Sequence, residues 1–204
     1  MKKKFALSIA AIALVICCAV GGTLAWLTDQ TASVKNTFTV GNIDITLTES
    51  KGVTSSNPQE GTFKMVPGNT IEKDPKVTVV AGSEDCWLFV KVEKSSTLDN
   101  YIAYAIDSNW TALADKPGVY YYNGTVPQGT PISVLGEGSY PDTNPTVTWT
   151  KDHVAVKPEV TKAMMDNLTS SGATLPTLTF TAYAVQKDNI ADVTTAWAKV
   201  APTP

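Results

Sequence analysis

The stretch KVTVVAGSEDCWLFVKVEK, residues 76–94, contains two β-strand patterns separated by a turn at Gly82. In its second half, residues 86–94, apolar side chains alternate with the period of two that is typical of strands. One face carries Cys86, Leu88, Val90 and Val92, and the other begins with Trp87 and Phe89. Because both faces are apolar where this segment begins, the pattern predicts a strand in the middle of a sheet, covered on both sides.

The rest of the chain is also rich in strand and turn patterns. TLTFTAYAVQ, residues 177–186, alternates more regularly than any other segment. Further strands are predicted at residues 38–47, 101–107, 118–123, 131–135, 146–150 and 153–157. In MVPGN, residues 65–69, proline followed by glycine predicts a type II turn, because proline presets φ and glycine supplies the positive φ.

One segment has helical rather than strand periodicity. In KPEVTKAMMDNL, residues 157–168, the apolar residues Val160, Ala163, Met164 and Leu168 recur at helical spacing. We therefore predict one short helix at residues 158–168. Short strands with a single helix indicate an all-β fold, and we expect a jelly-roll-like two-sheet sandwich in one domain, residues 34–200. An immunoglobulin-like sandwich is the alternative, because it has the same composition and a different strand order.

Residues 1–25 have the parts of a secretory signal peptide. A basic start, Lys2–Lys4, precedes an uncharged apolar run over residues 5–20. Small residues follow, and we predict cleavage between Ala25 and Trp26, which leaves residues 26–33 as a free N-terminal segment. An uncleaved membrane anchor is the first alternative. A lipoprotein signal at Cys17 or Cys18 is less favoured, because Ile16 or Cys17 then occupies the place of a small residue.

Charge and cysteine content exclude several classes of protein. The chain has a formal net charge of −3, and cleavage removes three lysines and no acid. An acidic mature chain is not expected to bind nucleic acid, and anionic membranes should repel it. Cys86 is the one cysteine of the mature chain, so a disulfide framework is excluded despite the exported context.

The sequence offers no persuasive active site. His153 is the only histidine and lies in an alternating segment, where a strand or turn residue is the simplest interpretation. Cys86 has acidic neighbours, Glu84 and Asp85, which disfavour a thiolate and favour a packed thiol. We expect no catalytic residues, no metal site, no cofactor and no enzymatic activity.

The triplet Tyr120-Tyr121-Tyr122 is the one candidate binding motif in the middle of the chain. Three adjacent aromatic rings are able to bind glycans or a partner protein. The simpler interpretation is a strand with one ring in the core and two at the surface. A surface adhesin or glycan-binding module is therefore the alternative function.

The N-terminal junction resembles exported proteins of the TasA/camelysin type from Gram-positive bacteria. The resemblance is carried by GTLAWLTD, residues 22–29, and by FTVGNIDITL, residues 38–47. In that family a similar junction is processed by a dedicated signal peptidase, SipW, although Leu27 stands here where phenylalanine is usual. MVPGN resembles the family's L-x-P-G-D turn, with Asn69 replacing the acid, and residues 177–186 resemble its closing strand.

The resemblance implies a secreted or cell-surface structural protein, either a subunit or an accessory of biofilm-matrix fibres. Its partners would be copies of itself or related fibre subunits, together with signal peptidase and the secretion machinery. The membrane would be a partner only before cleavage. Assembly would follow by donation of residues 26–36 to a neighbouring subunit, with Trp26, Leu27 and Asp29 as assembly residues. A camelysin-like metalloprotease is a less favoured alternative, because the chain shows no ligand set for a metal.

Overall fold

The computed structural model describes residues 41–52, 60–141, 146–170 and 172–202, which lie in one compact unit spanning residues 40–204. The described strands are β1 Ile45–Thr48, β2 Thr70–Glu72, β3 Lys76–Val79, β4 Cys86–Lys94, β5 Ile102–Ala103, β6 Trp110–Ala112, β7 Val119–Tyr122, β8 Ile132–Ser133, β9 Gly138–Tyr140, β10 Val147–Trp149, β11 His153–Val156 and β12 Leu178–Gln186. The described helices are α1 Leu98–Tyr101, α2 Lys162–Leu168 and α3 Val193–Val200.

These strands pair antiparallel in several sheets. The largest sheet has the order β12-β4-β7-β6, and a three-stranded sheet has the order β1-β3-β8. A second three-stranded sheet has the order β2-β11-β5, and β9 pairs with β10. The predicted all-β sandwich is confirmed, whereas the jelly-roll strand order stays a prediction.

The main core lies between the β1-β3-β8 sheet and one face of the four-stranded sheet. The face of β4 predicted from the sequence is present, and it contributes Cys86, Leu88, Val90 and Val92. Val77 and Val79 of β3 pack against it from the facing sheet and are almost fully buried. Burial of such side chains contributes roughly 1.5–3 kcal/mol each, so this contact between sheets contributes substantially to stability.

The opposite face of the four-stranded sheet is covered by the C-terminal helix α3. Trp197 of this helix lies against Phe89 of β4 and Tyr183 of β12, with ring centroids 5.3 and 5.2 Å apart. Phe89 is fully buried. β4 is thus covered on both faces and paired on both sides, which confirms the predicted central strand.

A third apolar cluster lies around the β2-β11-β5 sheet. It contains Leu98 and Tyr101 of α1, Val154 and Val156 of β11, and Val160 before α2. Met164 of α2 packs against this cluster, and its carbonyl accepts a hydrogen bond of 3.0 Å from the Tyr101 hydroxyl. Leu168 of α2 packs against the same cluster, as its sequence spacing predicts, whereas Ala163 of the predicted face is exposed.

The prediction of a single short helix is wrong, because the described residues contain three helices. α2 begins at Lys162 rather than at residue 158, because Thr161 has an extended backbone and its hydroxyl accepts a hydrogen bond from the Met164 amide. α3 was missed because its sequence, VTTAWAKV, is rich in β-branched residues. The Asp192 carboxylate caps it by accepting a hydrogen bond of 2.8 Å from the Thr195 amide. α1 is a single turn without a side-chain cap.

The predicted turn at residues 65–69 is confirmed. The Asn69 amide donates a hydrogen bond of 3.0 Å to the Val66 carbonyl, and Gly68 has φ of 80°. A positive φ at the third turn residue is the type II signature. The three short strands β2, β6 and β9 were not predicted, since three residues are too few for an alternation to stand out.

Candidate functional site

The strand β12 forms one edge of the four-stranded sheet. It pairs with β4 over nine residues, and no other strand of the described residues pairs with its second side. We call this second side the open edge. An unpaired strand edge presents rows of N–H and C=O groups that are able to pair with another chain.

The hydrogen bonds at the two ends of β12 fix which residues face the open edge. The Ser95 amide donates to the Thr177 carbonyl at 3.0 Å, and the Lys187 amide donates to the Asp85 carbonyl at 2.8 Å. Odd-numbered residues between these two therefore bond to β4, because hydrogen-bonded pairs alternate along an antiparallel ladder. The backbone groups of the even-numbered residues point to the open edge: Leu178, Phe180, Ala182, Ala184 and Gln186.

The composition of β12 leaves this edge without the usual protection. Its sequence, LTFTAYAVQ, contains no charged residue and no proline. Natural edge strands commonly carry lysine or proline, are very short, or are bulged, and these features hinder pairing with a second chain. The nine-residue ladder between β4 and β12 is unbroken, so the strand is also regular.

The strand β1 forms an edge of the facing β1-β3-β8 sheet. It contacts β12 across the sandwich, so the two edges lie on the same side of the domain. β1 has four residues, whereas β12 has nine. Of these two edges, β12 therefore offers the longer row of backbone groups to an incoming strand.

The chain enters this domain near the end of β12. The Glu84 amide donates to the Asn42 carbonyl at 3.0 Å, and the adjacent Asp85 carbonyl accepts from the Lys187 amide. Residue 42 and the C-terminal end of β12 are therefore attached to neighbouring residues of the same turn. The predicted donor segment precedes this point by only a few residues in the sequence.

Tyr120, Tyr121 and Tyr122 lie in β7, an inner strand of the four-stranded sheet, and all three are half-buried. Tyr120 and Tyr122 pack against the main core, whereas Tyr121 packs on the α3 side. The rings thus alternate between two faces instead of forming one aromatic surface. Their predicted role in partner binding stays a prediction.

Cys86 and His153 each begin a strand, β4 and β11 respectively, and Cys86 is buried. Burial raises the pKa of the Cys86 thiol, and the Asp85 carboxylate raises it further, while Lys187 acts in the opposite direction. Such a thiol is a poor nucleophile. His153 begins β11, and its Nδ1 lies 3.0 Å from the Lys151 carbonyl.

The described residues do not fit a catalytic metal site. Within residues 41–52, 60–141, 146–170 and 172–202, no three side chains of histidine, cysteine, aspartate or glutamate come together in a way that suits a metal ion. Catalytic zinc sites generally use two or three histidines, or two cysteines with a histidine. The sequence has one histidine and, beyond the predicted signal segment, one cysteine.

The predicted cleavage and assembly residues lie outside the described part of the chain. These are Ala25 and Trp26 at the cleavage site, and Trp26, Leu27 and Asp29 for assembly. The open edge of β12 was not predicted as a site. Its one sequence signal is a long regular alternation without charge or proline, and that signal does not reveal which side of the strand lacks a partner.

Residues 1–86 match the family model of camelysin metallo-endopeptidase. The resemblance to TasA/camelysin-type proteins is thereby confirmed for this part of the chain. No curated protein and no solved structure matches the chain. Among the described residues, no helix is long and apolar enough to span a membrane.

Proposed function

We propose that the chain is a secreted or cell-surface structural protein whose copies assemble by N-terminal strand donation. The observation that carries this proposal is the open edge of β12, with its nine uncharged residues in regular strand geometry. Similarity of residues 1–86 to camelysin supports an exported protein, because the predicted signal segment lies within the matched region. A role in biofilm-matrix fibres is the finer form of the same proposal.

In this proposal residues 26–36 of one copy pair with β12 of the next copy. The outward N–H and C=O groups of Phe180, Ala182 and Ala184 supply the centre of the new ladder. Backbone pairing provides affinity, and side-chain packing on the two faces fixes the register. Before signal cleavage the segment is tied to the membrane, so assembly is restricted to the cleaved protein.

The energy of association depends on two apolar side chains of the donor. Burial of Trp26 and Leu27 contributes roughly 1.5–3 kcal/mol each. Ordering a residue of the donor costs about 1–2 kcal/mol in backbone entropy, so most of the ladder must form before association is favourable. A long acceptor such as β12 meets this requirement better than the short strand β6.

Donation from one copy to the next is a head-to-tail contact. Such a contact does not close on itself, and it generates filaments when the rotation between copies does not close a ring. We expect linear filaments from protein that begins at Trp26. Pairing of the segment with β12 of its own chain would instead leave a monomer.

The test is assembly of protein starting at Trp26 compared with two variants. One variant lacks residues 26–36, and the other carries a glycine–serine segment of the same length in their place. Sedimentation and electron microscopy should show filaments for the first protein and folded monomers for both variants. Filaments from the glycine–serine variant would overturn the donor role of this segment. Monomers in all three would overturn assembly by strand donation.

We also propose that the chain is not a protease. The available metal-binding side chains support this. One histidine and one cysteine in the mature chain supply none of the usual zinc ligand combinations. The purified protein should leave casein intact with or without added zinc. Chelator-sensitive cleavage of casein that is lost in His153→Ala would contradict the proposal.

A further inference from the structure

Lys73 and Glu49 form an unusually buried ion pair. The Lys73 Nζ lies 3.0 Å from both Oε1 and Oε2 of Glu49. The two side chains are 12% and 16% exposed. In the other ion pairs of the described residues, at least one partner is more than one fifth exposed.

Aromatic rings surround the amine of this pair. The Lys73 Nζ lies 5.0 Å from the centre of the Phe63 ring and 5.6 Å from the centre of the Phe180 ring. Phe180 belongs to β12, and Glu49 directly follows β1, so the pair lies where these strands meet the β2–β3 connection. Both side chains of the pair are therefore largely buried.

The surroundings favour the neutral form of the Glu49 carboxyl. Burial raises the pKa of the Glu49 carboxyl, against the lowering effect of Lys73, and the Asp74 carboxylate raises it further. Transfer of one proton from the ammonium to the carboxylate gives a neutral amine beside a neutral acid.

We propose that Lys73 and Glu49 join in an intramolecular isopeptide bond. The neutral Nζ attacks Cδ of the protonated carboxyl, an N–C bond forms, and the C–OH bond breaks. A proton from the amine passes to the leaving hydroxyl, and one water molecule is released. The reaction needs no oxidant, reductant or further reactant, and the fixed contact between the two groups provides the proximity that amide formation requires.

The bond would close a loop between residues 24 positions apart. It would tie the end of β1 to the β2–β3 connection, and a pull on β1 would pass to Lys73 without extending residues 50–72. This mechanical consequence rests on the proposed assembly, in which force enters through the N-terminal segment. The bond itself does not depend on assembly.

Mass spectrometry of the intact, full-length purified chain tests the bond. The mass should be lower than that of the sequence by one water molecule, after allowance for any signal cleavage. Trypsin should also fail to cut after Lys73 and should release one branched peptide that joins residues 36–51 to residues 65–76. A full sequence mass, or cleavage after Lys73, would overturn the proposal.

Two lysine variants locate the reaction. Lys73→Arg keeps the positive charge beside Glu49 and removes the amine, so its mass should show no loss of water while its circular dichroism matches wild type. Lys91→Arg is the matched control, because Lys91 forms a close but more exposed pair with Glu93, and this variant should still lose water. Loss of water in Lys73→Arg would place the reaction elsewhere and overturn the proposal. The bond and the assembly are tested separately. Filaments formed by protein of full sequence mass would refute the isopeptide bond and leave the proposed assembly standing. Monomers that lack one water molecule would refute the assembly and leave the bond standing.

Discussion

The two edges of the four-stranded sheet differ in length and in what surrounds them. β12 is a nine-residue edge, whereas β6, at the other edge, has three residues. β6 begins with the buried Trp110, whose indole N–H donates to the Ser133 carbonyl at 2.9 Å. Thr111 of β6 is tied by its hydroxyl to Asn123 at 2.6 Å.

This difference indicates which edge is suited to accept a strand. A short edge offers too few backbone groups to balance the ordering of a second chain. A long and regular edge without charge or proline is a hazard unless another segment covers it. In the proposed assembly β12 is therefore the acceptor edge, and β6 is protected by its short length.

Proline at an outward-facing position of each edge should produce the largest difference. Ala182→Pro removes an N–H that points to the open edge and keeps the bonds from β12 to β4. Ala112→Pro makes the same change on β6, because the Leu113 amide bonds to the Val119 carbonyl and Ala112 therefore faces outward. We expect Ala182→Pro to abolish polymerisation and Ala112→Pro to leave it intact, as measured by sedimentation.

Both proline variants must first be shown to fold, by circular dichroism and by a cooperative urea transition. Proline is tolerated on an edge strand where its N–H would face solvent. Filaments of Ala182→Pro at the wild-type concentration would show that β12 is not the acceptor. Loss of filaments in Ala112→Pro would move the acceptor to β6.

Truncation of the two donor side chains should have the next largest effect. Trp26→Ala combined with Leu27→Ala should weaken each contact between copies by roughly 1.5–3 kcal/mol per side chain. The melting temperature of the monomer should change little, since these residues precede the sandwich domain. The critical concentration for assembly measures the effect, and Thr28→Ala with Gln30→Ala in the same segment is the control. Equal critical concentrations in both double variants would argue against apolar anchoring.

Removal of the aromatic contact between α3 and the four-stranded sheet should destabilise the β12 edge more than the β6 edge. Trp197 is 5% exposed and lies against Phe89 and Tyr183. Trp197→Ala should lower the free energy of unfolding by about 3–5 kcal/mol through the cavity it leaves. Urea unfolding measures this loss. Hydrogen exchange should accelerate in β12 more than in β6, and equal acceleration would mean that α3 supports the sheet as a whole.

Acid should weaken the hydrogen bonds between Asp74 and Ser50, which hold the end of β1, the strand that faces β12. Burial acts to raise the pKa of Asp74, but hydrogen bonds from Ser50 and the charge of Lys76 outweigh it and lower the pKa below 3.8. A lowered folded-state pKa means that this carboxylate stabilises the fold above the unfolded pKa, and that the contribution is lost as pH falls through the folded pKa.

Asp74→Asn should therefore be less stable than wild type near neutral pH, and the difference should shrink below pH 3.8. Urea midpoints at a series of pH values measure it. Asp99→Asn is the control, and it should cost little stability near neutral pH because Asp99 forms an exposed ion pair with Lys94, and exposed pairs contribute little. A constant difference for Asp74→Asn across this range would mean that its carboxylate charge contributes no stability.

Local pattern was sufficient to predict the strands with clear alternation. β4 and β12 lie within the predicted segments, and the two faces of β4 are those that the sequence indicates. The turn at Pro67 and Gly68 was predictable because it depends on the φ preferences of two adjacent residues. α3 was not predictable in the same way, since cap and packing override the strand preference of Val193, Thr194 and Thr195.

The sequence by itself determined where the long strands β4 and β12 form, because side-chain alternation and turn preferences are properties of neighbouring residues. It did not determine which strands are edges. β3 and β4 are consecutive in the chain and lie in different sheets, whereas β4 pairs with β12 from the far end of the chain. Pairing of this kind depends on contacts between distant residues. Only the tertiary structure decided that β12 lies at an edge of the sheet that the described strands form, and that Lys73 meets Glu49.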